Sequence, residues 1–377
     1  MKKKIFIGIN SIEKVNEIIK SVNASSVLLV TGKQSYISSN AKSKLDKILS
    51  NIYTKIFNKF EVNPKIEDVF TGVKIIHKTK FDLIIAIGGG SVIDMAKLIN
   101  ILAVQKDSNL VKYIHNSSII TEKGLPLVAI PTTAGTGSEA THFSVVYIDS
   151  IKYSLAHSFM LPDYAIVDAE LSYNLPPYIT ASSGIDALSQ AIESYWSIKS
   201  TKESKNFSSI AIVLILEALQ DAVKGNKRAR IIMSRASYIA GKAINITTTT
   251  APHAISYPIT TYYGLQHGHA VALTLGCFFE INYNFIDVDV VDCRGAEYVR
   301  NTMKELYSMF GAKSASECRL KWNNLMDSLE LERNLNNFKI KSEYKIDKII
   351  NNVDLKRLSN NPVRVSESDL KKCLGLQ

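Results

Sequence analysis

Four cysteines in 377 residues, none in a CxxC pair, cannot build a disulfide framework, and the chain reads as one kept in reducing conditions. No uninterrupted apolar run approaches the ~18 residues of a membrane span. After Met1-Lys2-Lys3-Lys4 the apolar stretch Ile5-Phe6-Ile7-Gly8-Ile9 is too short for a secretion signal and reads better as a first strand. A soluble, cytoplasmic protein is expected. Neither GxGxxG nor a P-loop GK[ST] is present, which removes the commonest dinucleotide and kinase-type fingerprints. Acidic residues are in deficit, 35 against 45 Lys+Arg, for a net charge of +10. The lysines are scattered, and no RNP, zinc-finger or KH pattern accompanies them, so no nucleic-acid partner is expected and a small anionic ligand remains compatible.

What is present is an ordinary globular composition, 46% hydrophobic and 21% charged, with the length of two domains. Up to about residue 175, brief apolar runs at Ile5–Ile9, Val27–Thr31, Tyr53–Phe57, Leu83–Ile87, Leu127–Ile130 and Ala165–Val167 alternate with helical periodicity. One such helix is expected to open on Asn63-Pro64 and to carry Ile66, Val69, Phe70, Val73 and Ile76 inward. Apolar strands covered on both faces predict a Rossmann-like parallel sheet over residues 1–175. After Pro176-Pro177 the pattern turns helical, with Gly184–Trp196, Phe207–Val223, Ile231–Ile244 and Glu297–Phe310 as examples, so 176–377 reads as an all-helical domain. A ligand cleft between two closely packed domains is expected.

Three groups of residues suggest chemistry. Gly88-Gly89-Gly90-Ser91 follows a buried strand and opens a helix, where glycines let a diphosphate approach and helix N–H groups attract it. Ser91 and Asp94 as a simple capping box is the plainer alternative. Pro131 to Thr141 follows another buried strand and brings the hydroxyls of Thr132, Thr133 and Thr136, a second candidate cradle. In the helical half, Asp186, His253 and His267 suit a zinc or ferrous ion with an open position. Gln190 stands one turn beyond Asp186 on the same face.

Taken together, Gly88–Lys97, Pro131–Glu139, Gly184–Glu193, the His253 to His267-Gly268 segment and Asn360-Asn361-Pro362 resemble the iron-containing (group III) alcohol dehydrogenase family over nearly the whole chain. The resemblance implies that family's dehydroquinate synthase-like architecture and an NADPH- or NADH-dependent enzyme with a divalent metal, Fe²⁺ or Zn²⁺. It implies metal ligands Asp186, His253 and His267. Gln190 stands where the family usually has a histidine, and Tyr257 stands where it has another. Gln190 then offers a weaker amide oxygen, and Tyr257 a hydrogen-bond or proton-relay group beside the substrate oxygen. Tyr257, His267 and Lys152 form the expected catalytic set. Lys152 also joins the nucleotide set of Gly88, Gly89, Gly90, Ser91, Asp94, Thr132, Thr133 and Thr136, together with Lys33 and Leu171. The family often has an Asp after the second strand; Gly32-Lys33 in its place implies tolerance of, or preference for, NADPH.

Within the family, Lys152–His157, Glu193–Ser197 and Ala251–Pro258 are similar to phosphonoacetaldehyde reductases, which reduce a two-carbon phosphonate aldehyde to 2-hydroxyethylphosphonate. The resemblance therefore implies a small anionic aldehyde substrate, and commonly a homodimer. The alternatives are a general small-alcohol or glycerol-type dehydrogenase, a lyase of the dehydroquinate-synthase kind, and a non-catalytic nucleotide-binding member.

Overall fold

The computed structural model describes residues 3–149, 151–340 and 342–375. It divides into two compact units, Met1–Leu175 and Pro176–Gln377. In the first unit six parallel strands form one sheet in the order β1-β8-β5-β4-β2-β3. They are β1 (Lys4–Ile7), β2 (Ser26–Thr31), β3 (Tyr53–Phe57), β4 (Leu83–Gly88), β5 (Leu127–Pro131) and β8 (Tyr164–Val167). In β4, Ile84 and Ala86 face one core with Leu28, Val30 and Ala129, while Leu83, Ile85 and Ile87 face another with Val27, Leu29 and Val128. Side chains alternate between the sheet faces, so two buried faces produce an uninterrupted apolar strand.

The edge strands depart from that expectation. In β1 no residue is buried, and Ile5 and Ile7 are 41% and 46% exposed, because a neighbour pairs with this strand on one side only. The expected opening of the Ile66 helix also differs. Ile66–Lys78 is capped by extended Lys65, while Asn63 and Pro64 bond elsewhere: the Asn63 N–H donates to Ser91 Oγ (3.2 Å) and the Pro64 carbonyl accepts from the Tyr147 N–H (2.8 Å). A two-stranded antiparallel hairpin, β6 (Phe143–Ile148) and β7 (Ile151–Ala156), went unread in the sequence; it pairs Tyr147 with Lys152.

The second unit is helical, with one isolated bridge between Val290 and Val363 among the described residues. The helix Pro177–Trp196 is its centre. From Thr180 to Trp196 every residue except Ser183 is buried, so the polar Asp186, Gln190 and Glu193 need partners inside the protein. Lys202–Val223 is, by length and composition, the one described helix apolar enough to cross a membrane. The helix packs against Pro177–Trp196 and Lys227–Thr247, burying Ala211, Ile212, Ile215, Ala218, Leu219 and Ala222.

Candidate active site

In the first unit the two loops suspected of binding nucleotide are built against each other. A Cβ on Gly88 would fall 2.5 Å from Val92 Cγ2, and one on Gly90 would fall 2.7 Å from Thr136 Cγ2. Packing within the protein explains those two glycines. It does not explain Gly89, where a Cβ would meet only Thr133, at 3.8 Å. Gly89 is the N-cap of the helix Gly90–Leu102, where first-turn N–H groups lack intrahelical partners, so the missing side chain keeps that end open to a phosphate.

No capping box forms here, since no side chain caps this helix and Ser91 Oγ accepts from Asn63 instead. Asp94 reaches the other way. Its Oδ1 accepts from Ser138 Oγ (2.6 Å) and its Oδ2 from the Val145 N–H (2.9 Å). One turn on, Lys97 is fully buried. Its Nζ donates to the carbonyls of Thr141 (2.8 Å) and Phe143 (3.0 Å) and to the hydroxyls of Ser138 and Thr141 (both 3.1 Å). Burial pushes the Lys97 ammonium down to about 8, opposed by the charges of Asp94 and Glu139. Asp94 and Lys97 thus clamp the Pro131–Thr141 loop and the start of β6 onto the glycine-loop helix. Sequence reasoning assigned Lys97 no role, because its acceptors lie more than forty positions away.

The remaining nucleotide candidates divide. Thr133 and Thr136 are half-buried at the loop surface, and Lys152, half-buried on β7, adds weakly to the charge of Lys97 in opposing the burial that raises the Asp94 carboxyl. Thr132 is 1% exposed: its N–H donates to the Gly88 carbonyl (2.9 Å), and its hydroxyl oxygen has no hydrogen-bond partner among the described residues. Lys33 is exposed beyond β2 and opposes the burial that raises the Asp68 carboxyl, more weakly than Lys65 does. Leu171 is a correction. It has no exposed surface and packs in the core with Ile12, Val15 and Leu29, and a side chain without surface cannot touch a ligand.

In the second unit three helices bring the metal candidates together. Pro177–Trp196 carries Asp186, Gln190 and Glu193, Ala251–Tyr263 carries His253 and Tyr257, and His267 opens His267–Asn284. Ligand atoms of Asp186, His253 and His267 all lie within 4.8 Å of one another. Gly268 makes this approach possible, since a Cβ there would sit 2.0 Å from the Ser182 carbonyl oxygen and 2.6 Å from Asp186 Cβ.

Behind His253 stands Glu193, fully buried. Its Oε1 pairs with His253 Nδ1 (2.5 Å), and its Oε2 accepts from the Thr250 N–H (2.6 Å) and hydroxyl (2.9 Å). A proton held on Nδ1 leaves Nε2 as the ligand atom, and that atom lies 3.3 Å from Asp186 Oδ1. Glu193 belongs to the motif read in the sequence, yet its role behind the ligand was not read there. Gln190 Nε2 donates to Asp186 Oδ2 (3.2 Å). Asp186 Oδ1 then meets the His253 imidazole, and Gln190 Oε1 is a buried oxygen with no hydrogen-bond partner among the described residues. Burial lowers the His253 imidazole, but Glu193 and then Asp186 outweigh it and push it up to about 9. Asp186 is held below the usual carboxylate range, the contacts of His253 and the charge of His267 outweighing burial. A buried carboxylate and an orphaned amide oxygen beside an oriented imidazole fit a cation; the oxygen and imidazole donors suit zinc or ferrous ion.

Tyr257 lies beside this set, its ring 5.9 Å from that of His267. Burial pushes its hydroxyl up to about 12, with Arg357 opposing, and the Thr249 side chain hydrogen-bonds it. Asn360 explains the late Asn-Asn-Pro segment. Its Nδ2 donates to the carbonyls of Thr247 and Thr249 and to the Thr248 hydroxyl, holding Thr248 at φ 61°. A β-branched residue there is strained, and this turn leads into the helix that places His253.

The family model for iron-containing alcohol dehydrogenase matches residues 2–169, and that for the C-terminal part of the Fe-containing alcohol dehydrogenase family matches 180–375. Long-chain-alcohol dehydrogenase 1 of Geobacillus thermodenitrificans is 39% identical over 216 residues, 56% of this chain and 54% of that protein. Phosphonoacetaldehyde reductase of Streptomyces viridochromogenes is 37% identical over 244 residues, 62% of each chain. These matches thus span between half and two thirds of the relatives' lengths. Among solved structures, sulfoacetaldehyde reductase from Bifidobacterium kashiwanohense in complex with NAD+ has a TM-score of 0.86 at 30% identity, covering 99% of this chain and 96% of that one.

Proposed function

The chain belongs to the iron-containing alcohol dehydrogenase family, and from that premise we propose that it reduces a small aldehyde to the alcohol with NADPH or NADH and a divalent metal. The observation that carries this reading is the buried convergence of Asp186, His253 and His267 with Glu193 behind. Asp186, His253 and His267 would hold the divalent cation, which would supply Lewis-acid polarisation of the aldehyde oxygen, and a bound reduced nicotinamide would supply the hydride. The chain's own residues prepare both. Glu193 fixes the His253 tautomer, Gln190 steadies Asp186, and Tyr257 keeps its proton beside His267 at neutral pH. Gly88 to Ser91 would take the diphosphate, with Thr133, Thr136 and Lys152 toward the ribose and nicotinamide. Lys33, with no acidic residue at position 32, favours tolerance of a 2′-phosphate.

The substrate we assign is a two-carbon aldehyde bearing a terminal anion, phosphonoacetaldehyde foremost. Two relatives act, by name, on the phosphonate and the sulfonate of that skeleton, and a net charge of +10 agrees with an anion. The test follows NADPH and NADH oxidation with phosphonoacetaldehyde, sulfoacetaldehyde, propanal and lactaldehyde, each with and without chelator, with the metal identified by elemental analysis. Higher kcat/KM for the two anionic aldehydes, lost on chelation, is expected. Equal values for all four return the protein to a general small-aldehyde reductase, and turnover that survives complete metal removal overturns the metal assignment.

A further inference from the structure

Two thiols meet away from the metal ligands. Cys277 lies in the middle of the His267–Asn284 helix and Cys373 ends the helix Glu367–Cys373. The two helices pack together, which brings the two thiols close enough to couple electrostatically. Neither thiol is fully buried. Arg319, from the helix Ala315–Ser328, stands beside them. Its Cγ comes within 3.6 Å of where a Cβ on Gly276 would lie, so the bare backbone before Cys277 lets the arginine stem approach. The Arg319 guanidinium also donates to Glu280 Oε2 (2.5 Å), which fixes it along the cysteine-bearing helix. The other cysteines are set differently: Cys318 is buried and Cys293 is exposed.

We propose that Cys277 and Cys373 are a hydroperoxide-sensitive dithiol that closes reversibly to an intramolecular disulfide. The surroundings assign the roles. The neighbouring Cys373 holds the Cys277 thiol below its usual range despite burial, and Arg319 adds to this; burial and the neighbouring Cys277 push Cys373 up. Cys277 is therefore the attacking thiolate and Cys373 the resolving thiol. The Cys277 sulfur attacks one oxygen of a hydroperoxide. The O–O bond breaks, an alkoxide or hydroxide leaves and takes up a proton, and Cys277 becomes a sulfenic acid. Cys373 then gives up its proton and attacks the Cys277 sulfur, forming the S–S bond as hydroxide leaves and is protonated to water. Two thiols lose two electrons and two protons, and the peroxide is reduced to an alcohol (or water) and water.

The bond would tie the C-terminal helix to the helix that begins at His267. Its formation depends neither on the metal nor on the substrate, so its test stands apart from the reductase reading. Purified full-length protein is treated with hydrogen peroxide, blocked with iodoacetamide, digested and analysed by mass spectrometry. A cross-linked Cys277–Cys373 peptide is expected, and the four titratable thiols per chain fall by two and return with dithiothreitol. Cys373→Ser should instead leave a dimedone adduct on Cys277, and Cys277→Ser should give neither product. Circular dichroism checks that both variants fold. Oxidation confined to Cys293, or a sulfenic acid on Cys277 of the unmutated protein that never resolves, overturns the proposal.

Discussion

Replacing Lys97 with Met removes the clamp beneath the glycine loop while keeping most of the side-chain volume. Two carbonyls, those of Thr141 and Phe143, lose a buried donor, at about 1–3 kcal/mol each; the Ser138 and Thr141 hydroxyls can turn to other partners. Against that loss stands the cost of burying an ammonium. Lys97 falls from 10.5 to about 8, a difference of 2.5 units, or about 3 kcal/mol at ~1.36 kcal/mol per unit. The two effects nearly offset at pH 7, so the net stability change there is small and the pH dependence is the diagnostic. The folded pKa lies below the unfolded one, so between about 8 and 10.5 the unfolded chain holds a proton that the folded chain has lost. The unmutated protein therefore carries its full penalty below pH 8 and regains up to about 3 kcal/mol as pH rises through that window. Urea unfolding of both proteins at intervals of pH from 7 to 10 should show their stabilities diverging above pH 8. NADH affinity, read from bound-nucleotide fluorescence, should fall about tenfold in Lys97→Met as the loop loosens, with metal content unchanged. Parallel stability curves and an unchanged NADH affinity would refute the clamp.

Gly89→Ala should fold normally, since a Cβ there meets only Thr133 at 3.8 Å, yet bind nucleotide at least tenfold more weakly, judged by the same fluorescence titration. Gly268→Ala, whose Cβ would overlap the Ser182 carbonyl at 2.0 Å, should lower Tm and metal content together, by roughly 2–4 kcal/mol of stability. Glu193→Gln should weaken metal binding by about 10- to 100-fold in a chelator competition, because the His253 ring loses the charge that orients it. Lys33→Asp should move the ratio of kcat/KM values toward NADH; an unchanged ratio removes Lys33 from cofactor choice.

Much of this architecture was legible in the sequence for a physical reason. Strands of a parallel sheet are buried on both faces, so β2, β4 and β5 appear as unbroken Val, Ile and Leu runs ending close to where the structure ends them. The β6–β7 hairpin was not legible. Its strands mix Ser, Tyr and Lys with Val and Ile, and the turn carries Asp149 at φ 49° rather than the Asn-Gly or Asp-Gly pair that marks a hairpin. Asp186, His253 and His267 were only candidates by residue type, since scattered His and Asp are more often structural than metal-ligating; the resemblance of their motifs to those of a family set them apart.

What residue type does not carry is direction. Asp94 was visible as an acid near a phosphate loop, but only coordinates show both oxygens turned to Ser138 and Val145. Leu171 shows the same limit in reverse, since a residue next to a site in the chain can face the core behind it. Glu193 shows it most sharply. A glutamate seven residues after Asp186 is two turns along the same helix and so shares its face, which the sequence does state. Which imidazole nitrogen it holds depends on the Thr247–Thr250 turn, and that turn is kept in a strained conformation by Asn360, more than a hundred residues away. Asn360→Ala should therefore loosen the metal site from outside it. Thr248 can relax from its positive φ once the Thr248 hydroxyl and its two neighbouring carbonyls lose their donor, and His253 shifts with the turn. Metal affinity should fall in Asn360→Ala without any change to a ligand, and retention of full affinity would show that Glu193 alone is enough to hold the ring.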